Sequence, residues 1–161
     1  MFKHTFIFSP GTWYGEGKIL LNLVEEELLF QTHWVVQPRD FTGKIECSQQ
    51  VQIQGLAEEM RNGLTFYDVQ TRLFTVEMEN QNVGRVIGSG VFDEKMIAWE
   101  FRSTEVQFEG FETYFLQNDL RTYLMKAEYI TSDQLRTQIE AVIKLQSQEV
   151  PEMEEPRESE E

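Results

Sequence analysis

From residue 13 to residue 130 apolar and polar side chains alternate in one segment after another, with a new segment beginning roughly every eight to twelve residues. A period of two buries one face of a β-strand and wets the other, and strands repeated at this spacing require a sandwich or a barrel. Residues 43–53 show it most clearly: Ile45, Cys47, Gln49, Val51 and Ile53 share one face, and Lys44, Glu46, Ser48, Gln50 and Gln52 the other. Trp13, Gly15, Gly17, Ile19, Leu21 and Leu23 form one inner face, and Leu28, Phe30, Thr32, Trp34 and Val36 the next. Further inner faces come from Phe74, Val76 and Met78, from Ile97, Trp99 and Phe101, and from Tyr123, Met125, Ala127 and Tyr129. Turn chemistry separates these segments at residues 38–43, 80–84, 93–95 and 117–119, and Asn62-Gly63 has the composition of a two-residue hairpin turn. Connections this short exclude crossover helices, so the pattern predicts an antiparallel, mainly up-and-down barrel of about nine strands, within a range of about 8–10.

Two segments break the alternation. Between residues 106 and 116 the apolar phase switches around Gly110, which predicts a bulge or sharp bend. After the strands, Leu135, Ile139, Val142 and Ile143 recur at helical spacing behind Ser132, a residue suited to an N-cap. This predicts one C-terminal helix over about residues 132–147, docked on the barrel.

Residues 149–161 hold seven Glu and one Arg and supply −6 of the net charge of −14. With two prolines and little apolar surface to offset its ordering entropy, this stretch reads as a disordered acidic tail, leaving residues 1–148 as one domain. The acidic balance and the lack of any Lys/Arg run argue against nucleic acid and anionic membranes as partners. A single cysteine, Cys47, excludes an intramolecular disulfide. No segment has the length of a membrane span or the form of a signal peptide, so the expected location is the cytoplasm.

The most distinctive stretch is Ser9-Pro10-Gly11-Thr12-Trp13-Tyr14-Gly15-Glu16-Gly17. A turn delivers Trp13 into the base of the first strand, and Gly15 and Gly17 on the same face leave room for a strongly bent strand or a close neighbour. In these residues the chain resembles the calycin superfamily of lipocalins and fatty-acid-binding proteins, whose members open with Gly-x-Trp, and it looks closest to the nitrobindin-like branch. The resemblance implies a ligand-holding barrel in which Gly11 and Trp13 close the base and Arg102 or Arg121 stacks on Trp13. Nitrobindin-like proteins hold haem through a histidine near the C-terminal end, whereas the histidines here are His4 and His33, so no haem site of that kind is implied and the cofactor stays unspecified. A fainter similarity, over Glu112 to Leu124 with Phe115, Leu120 and Arg121, links the chain to the phycobilin lyases, which attach bilins to proteins.

No catalytic or metal-binding constellation stands out. His33 points outward beside Trp34, His4 lies in a stretch over residues 2–8 that forms either a strand or a lid, and the two have no metal-site spacing. Cys47 reads as an inert core thiol. Asp68, Glu100 and Glu112 interrupt apolar segments, so one of them inside the barrel would be a candidate acid, base or ligand anchor; Glu100 and Arg102 read as an outer ion pair, and Asp68, sharing parity with Leu64 and Phe66, is the carboxylate of the three that best fits an inward position, although exposure at a strand end is the reading its place favours. Trp34, Phe66, Trp99, Phe101, Tyr114 and Tyr123 either fill the interior or surround a cavity, with Gln49, Asp68 or Tyr123 available to orient a ligand. The expected function is a non-enzymatic binding protein for a small hydrophobic or amphipathic molecule, such as a fatty acid or a tetrapyrrole-like compound. The alternatives are a filled barrel that binds a protein through its outer face or acidic tail, and a lyase-like role in chromophore attachment.

Overall fold

The computed structural model describes residues 4–23, 25–131 and 135–151. Ten strands follow one another: β1 (Gly11–Leu21), β2 (Leu28–Val36), β3 (Ile45–Ile53), β4 (Glu59–Tyr67), β5 (Leu73–Asn80), β6 (Gly84–Phe92), β7 (Met96–Ser103), β8 (Phe108–Leu116), β9 (Thr122–Ile130) and β10 (Arg136–Ser147). Each pairs antiparallel with the next, and β10 returns to pair with β1, so the sheet closes into a barrel without a free edge. The alternation read from sequence sets which side chains enter. In β3, Ile45, Cys47 and Gln49 are buried while Glu46 and Ser48 are exposed.

The predicted C-terminal helix does not form. Among the described residues there is no helix; of the apolar side chains assigned to one, Leu135 precedes β10 and the others belong to it, with Ile139, Ala141, Ile143 and Leu145 turned inward and Glu140, Val142 and Lys144 outward. Ser132, the expected N-cap, lies outside the described residues. Without β10, one edge of β1 and one edge of β9 would keep a row of unpaired N–H and C=O groups. β10 satisfies both through Gly15↔Ile143 on one side and Ala127↔Ile139 on the other. Gly17 permits this closure: a Cβ there would sit 2.1 Å from the Glu140 carbonyl oxygen.

Two further expectations are corrected. Asn62-Gly63 is not a hairpin turn but lies inside β4, where Gly63 pairs with Ser48 and Glu79. Nor does β8 bulge at Gly110. Phe108, Gly110, Glu112 and Tyr114 all point inward in regular register, and the apparent change of phase comes from Phe111 and Phe115, which are exposed on the outer wall.

The two ends of the barrel differ. At one end residues 4–10 fold under the sheet and insert Phe6 and Ile7, both fully buried, among Trp13, Trp34, Tyr114 and Tyr123. At the other end the inward side chains Leu21, Leu28, Val51, Ile53, Tyr129 and Ile139 are only partly buried, so this end is the open one.

Candidate functional site

The aromatic side chains expected to line an interior all point inward and are buried: Trp34, Phe66, Trp99, Phe101, Tyr114 and Tyr123. In the plugged half they meet one another. Trp99 stacks on Tyr114 at 4.9 Å between ring centroids, lies edge-on to Phe66 at 5.3 Å and reaches Trp34 at 6.4 Å. Phe6 packs among Trp34, Tyr114 and Tyr123 at the plugged end, and the buried carboxylate and the amide side chains lie in the half nearer the open end.

There Glu112 projects inward from β8. It pairs with Trp99 on β7 and with Ala127 on β9. Glu112 is 5% exposed and accepts three hydrogen bonds: the Tyr114 hydroxyl donates to Oε1 at 2.7 Å, the Trp99 indole N–H donates to Oε2 at 3.0 Å, and the Tyr129 hydroxyl donates to Oε2 as well. Gly110 makes the last contact possible, because a Cβ there would fall 2.2 Å from the Tyr129 ring. Burial raises the Glu112 carboxyl above its ordinary range, while the bonds from Tyr129, Tyr114 and Trp99 favour its charged form. Burial, and then the Glu112 charge, push both tyrosine hydroxyls well above the usual phenol range, so they remain donors. Two carboxylate oxygens offer about four acceptor directions; three are used, and the vacant one is on Oε1.

The opposite wall carries neutral amides. Starting from Thr32 on β2, Gln49 donates to the Thr32 hydroxyl at 3.1 Å, Asn62 donates to the Gln49 carbonyl at 3.0 Å, and Asn80 donates to the Asn62 carbonyl at 3.0 Å. This ladder crosses four adjacent strands from the buried interior to the rim, where Met60, Asn62, Asn80 and Asn82 line a cleft of about 200 Å³. β3 and β8 stand half the ring apart, so the carboxylate and the amide ladder face each other across the barrel. No Lys or Arg is buried among the described residues, and no group of three or more His, Cys, Asp or Glu side chains could hold a metal ion.

The other positions singled out by sequence divide as follows. Gln49 faces inward and is buried. Asp68 does not: it is exposed just beyond β4, at φ 49°. Arg102 and Arg121 are exposed and neither stacks on Trp13, whose ring neighbours are Phe6 and Tyr123. Arg102 instead pairs with Glu100 on the outer wall at 3.7 Å. Gly11 and Trp13 are buried at the plugged end, and His33 is exposed with its ring edge-on to Tyr14. Cys47 is buried, and desolvation raises its thiol far above the usual range. The centre of the site, Glu112, was concealed by the exposed Phe111 and Phe115 on either side of it, although it shares parity with Phe108, Gly110 and Tyr114.

No family model matches the chain, and no curated protein matches it. Among solved structures it is similar to the S-type phycobiliprotein lyase CPES from Guillardia theta, with a TM-score of 0.62 and 9% sequence identity over 85% of this chain and 88% of that one. A designed fluorescence-activating β-barrel aligns at a TM-score of 0.42 and 14% identity, over 88% of this chain and 97% of that one. At this level of identity the likeness to the lyase is one of fold, a closed antiparallel barrel.

Proposed function

We propose that the protein is a binding barrel for a small amphipathic molecule bearing N–H donors, held at the open end between Glu112 and the Thr32–Gln49–Asn62–Asn80 ladder. The observation that carries this reading is a carboxylate buried in an aromatic wall, held by three hydrogen bonds, with no cationic side chain buried among the described residues. Such a group costs folding free energy wherever it is ionised, and a ligand N–H directed at Oε1 would offset part of that cost. The same geometry sets aside a fatty acid, whose carboxylate would meet like charge and find no buried Arg or Lys. A flat, conjugated, N–H-bearing molecule of the tetrapyrrole class matches the carboxylate, the amides opposite and the partly buried apolar rim. The barrel shared with a phycobiliprotein lyase supports that choice of ligand class at the level of fold.

Protein purified gently from its own cells and analysed by native mass spectrometry and absorption spectroscopy tests the reading. A bound mass of several hundred daltons with visible absorption is expected. A bare, colourless chain that also fails to take up added bilin would overturn it.

A further inference from the structure

The plugged end of the barrel differs from a packed core in what fills it. Phe6 sits inside a cage of four aromatic rings from three different strands and the strand-one base: Tyr114 at 4.9 Å, Trp13 at 5.1 Å, Trp34 at 5.2 Å and Tyr123 at 5.6 Å between centroids. The segment that delivers it belongs to no strand, and its backbone makes no ladder with the barrel. Ile7 is held at φ 60°, in the left-handed region that a β-branched residue adopts only under constraint. The segment is therefore retained by its side chains against a strained backbone.

Polar retention rests on His4. Its Nε2–H donates to the Asp93 carbonyl oxygen at 2.5 Å, in the turn between β6 and β7, which leaves Nδ1 to accept from the Tyr123 hydroxyl at 2.8 Å. The imidazole also stacks on the Tyr123 ring at 5.8 Å. The Tyr123 oxygen therefore directs its proton at Nδ1. An imidazolium would place a proton on Nδ1 facing that oxygen, and the Tyr123 hydroxyl proton would lose its acceptor.

We propose that residues 4–8 are a displaceable stopper latched by neutral His4, and that the aromatic cage they occupy is a second binding site, which shares Tyr114 with the Glu112 site, for an uncharged planar ring. The cage carries tyrosine hydroxyls and no charged side chain, which fixes the class as uncharged and aromatic. Burial lowers the histidine below its ordinary 6.5, while the hydrogen bond to Asp93 and the Asp93 charge act the other way. Asp93, held in its charged form chiefly by the Lys95 amide and also by His4 and Arg72, is the carboxylate that faces the ring, and Tyr123 is the other titratable group against it. With the folded value depressed, the latch is complete above the ordinary histidine range and is lost as pH falls through the lowered value.

The experiment uses the full chain and N-phenyl-1-naphthylamine, an uncharged fluorescent ring, at about pH 7.5 and about pH 5, followed by hydrogen exchange of the N-terminal peptide. The wild type should take up several-fold more probe at the lower pH, and the probe should speed exchange over residues 4–8 while the strand peptides stay protected. His4→Gln should remove the pH step, and Phe6→Ala should admit the probe at both pH values. Equal uptake at both pH values in the wild type would overturn the proposal. So would N-terminal exchange that the probe does not alter, whatever the fate of the Glu112 site. Should Phe6→Ala lose its β-sheet circular dichroism, the wild-type and His4→Gln comparison still decides.

Discussion

Glu112 ties the chemistry of the barrel to its stability. Burial lifts its carboxyl above the ordinary value of 4.5, so the folded state holds that proton more tightly than the unfolded chain does. Its contribution therefore favours folding at acidic pH and is lost as pH rises through the folded value. Glu112→Gln removes the charge and can keep every bond: the amide oxygen accepts from Trp99 and Tyr129, and the amide nitrogen donates to Tyr114. Thermal melts should show the variant gaining on the wild type as pH rises above the ordinary carboxyl value of 4.5. A constant difference above that value would mean that Glu112 does not titrate there. Glu112→Leu should instead destabilise the fold by roughly 2–5 kcal/mol, because three buried donors lose their acceptor.

At the level of elements, β10 shows where sequence pattern is ambiguous. Residues 139–145 carry Ile139, Ala141, Ile143 and Leu145 at a period of two, yet Ile139, Val142 and Ile143 also fit a helical stripe. Ala141 is too small to register as apolar punctuation and Val142 is large enough to mislead; the deciding fact is the pair of open sheet edges on β1 and β9, which a local window does not contain. The other strands were legible because their two faces differ sharply in polarity, as in β3, and the register they adopt follows from that difference. Strand and helix make different predictions for two neighbouring residues. Ile143→Ala should cost about 2–5 kcal/mol, whereas Val142→Ala on the outer wall should change stability by less than about 0.5 kcal/mol. Similar losses at both positions in urea unfolding would contradict the strand. Gly17→Ala should cost on the order of 1–3 kcal/mol, since its methyl would meet the Glu140 carbonyl and force β1 and β10 apart.

For the whole molecule, closure gives the barrel two unlike ends. One holds aromatic rings packed around Phe6, and the other places a carboxylate and an amide ladder on facing walls. The aromatic interior was legible from strand parity, but whether it was hollow was not. That depended on residues 4–8, which carry no periodicity, and on Glu112, whose inward direction emerges only once β8 has run in unbroken register between β7 and β9. The division of labour also explains why no arginine or histidine cluster announces the site: its polar groups are one acid and several neutral amides and hydroxyls, spread over six strands from β2 to β9. The most direct test of the binding account is a titration of the purified protein with biliverdin and, separately, with palmitate, followed by quenching of tryptophan fluorescence in the wild type and in Glu112→Gln. Saturable quenching by biliverdin at micromolar concentrations, at least about tenfold weaker in the variant, with no response to palmitate, is the predicted result, a loss of about 1.4 kcal/mol of binding free energy. Tight binding of palmitate, or biliverdin binding equal in the two proteins, would contradict it.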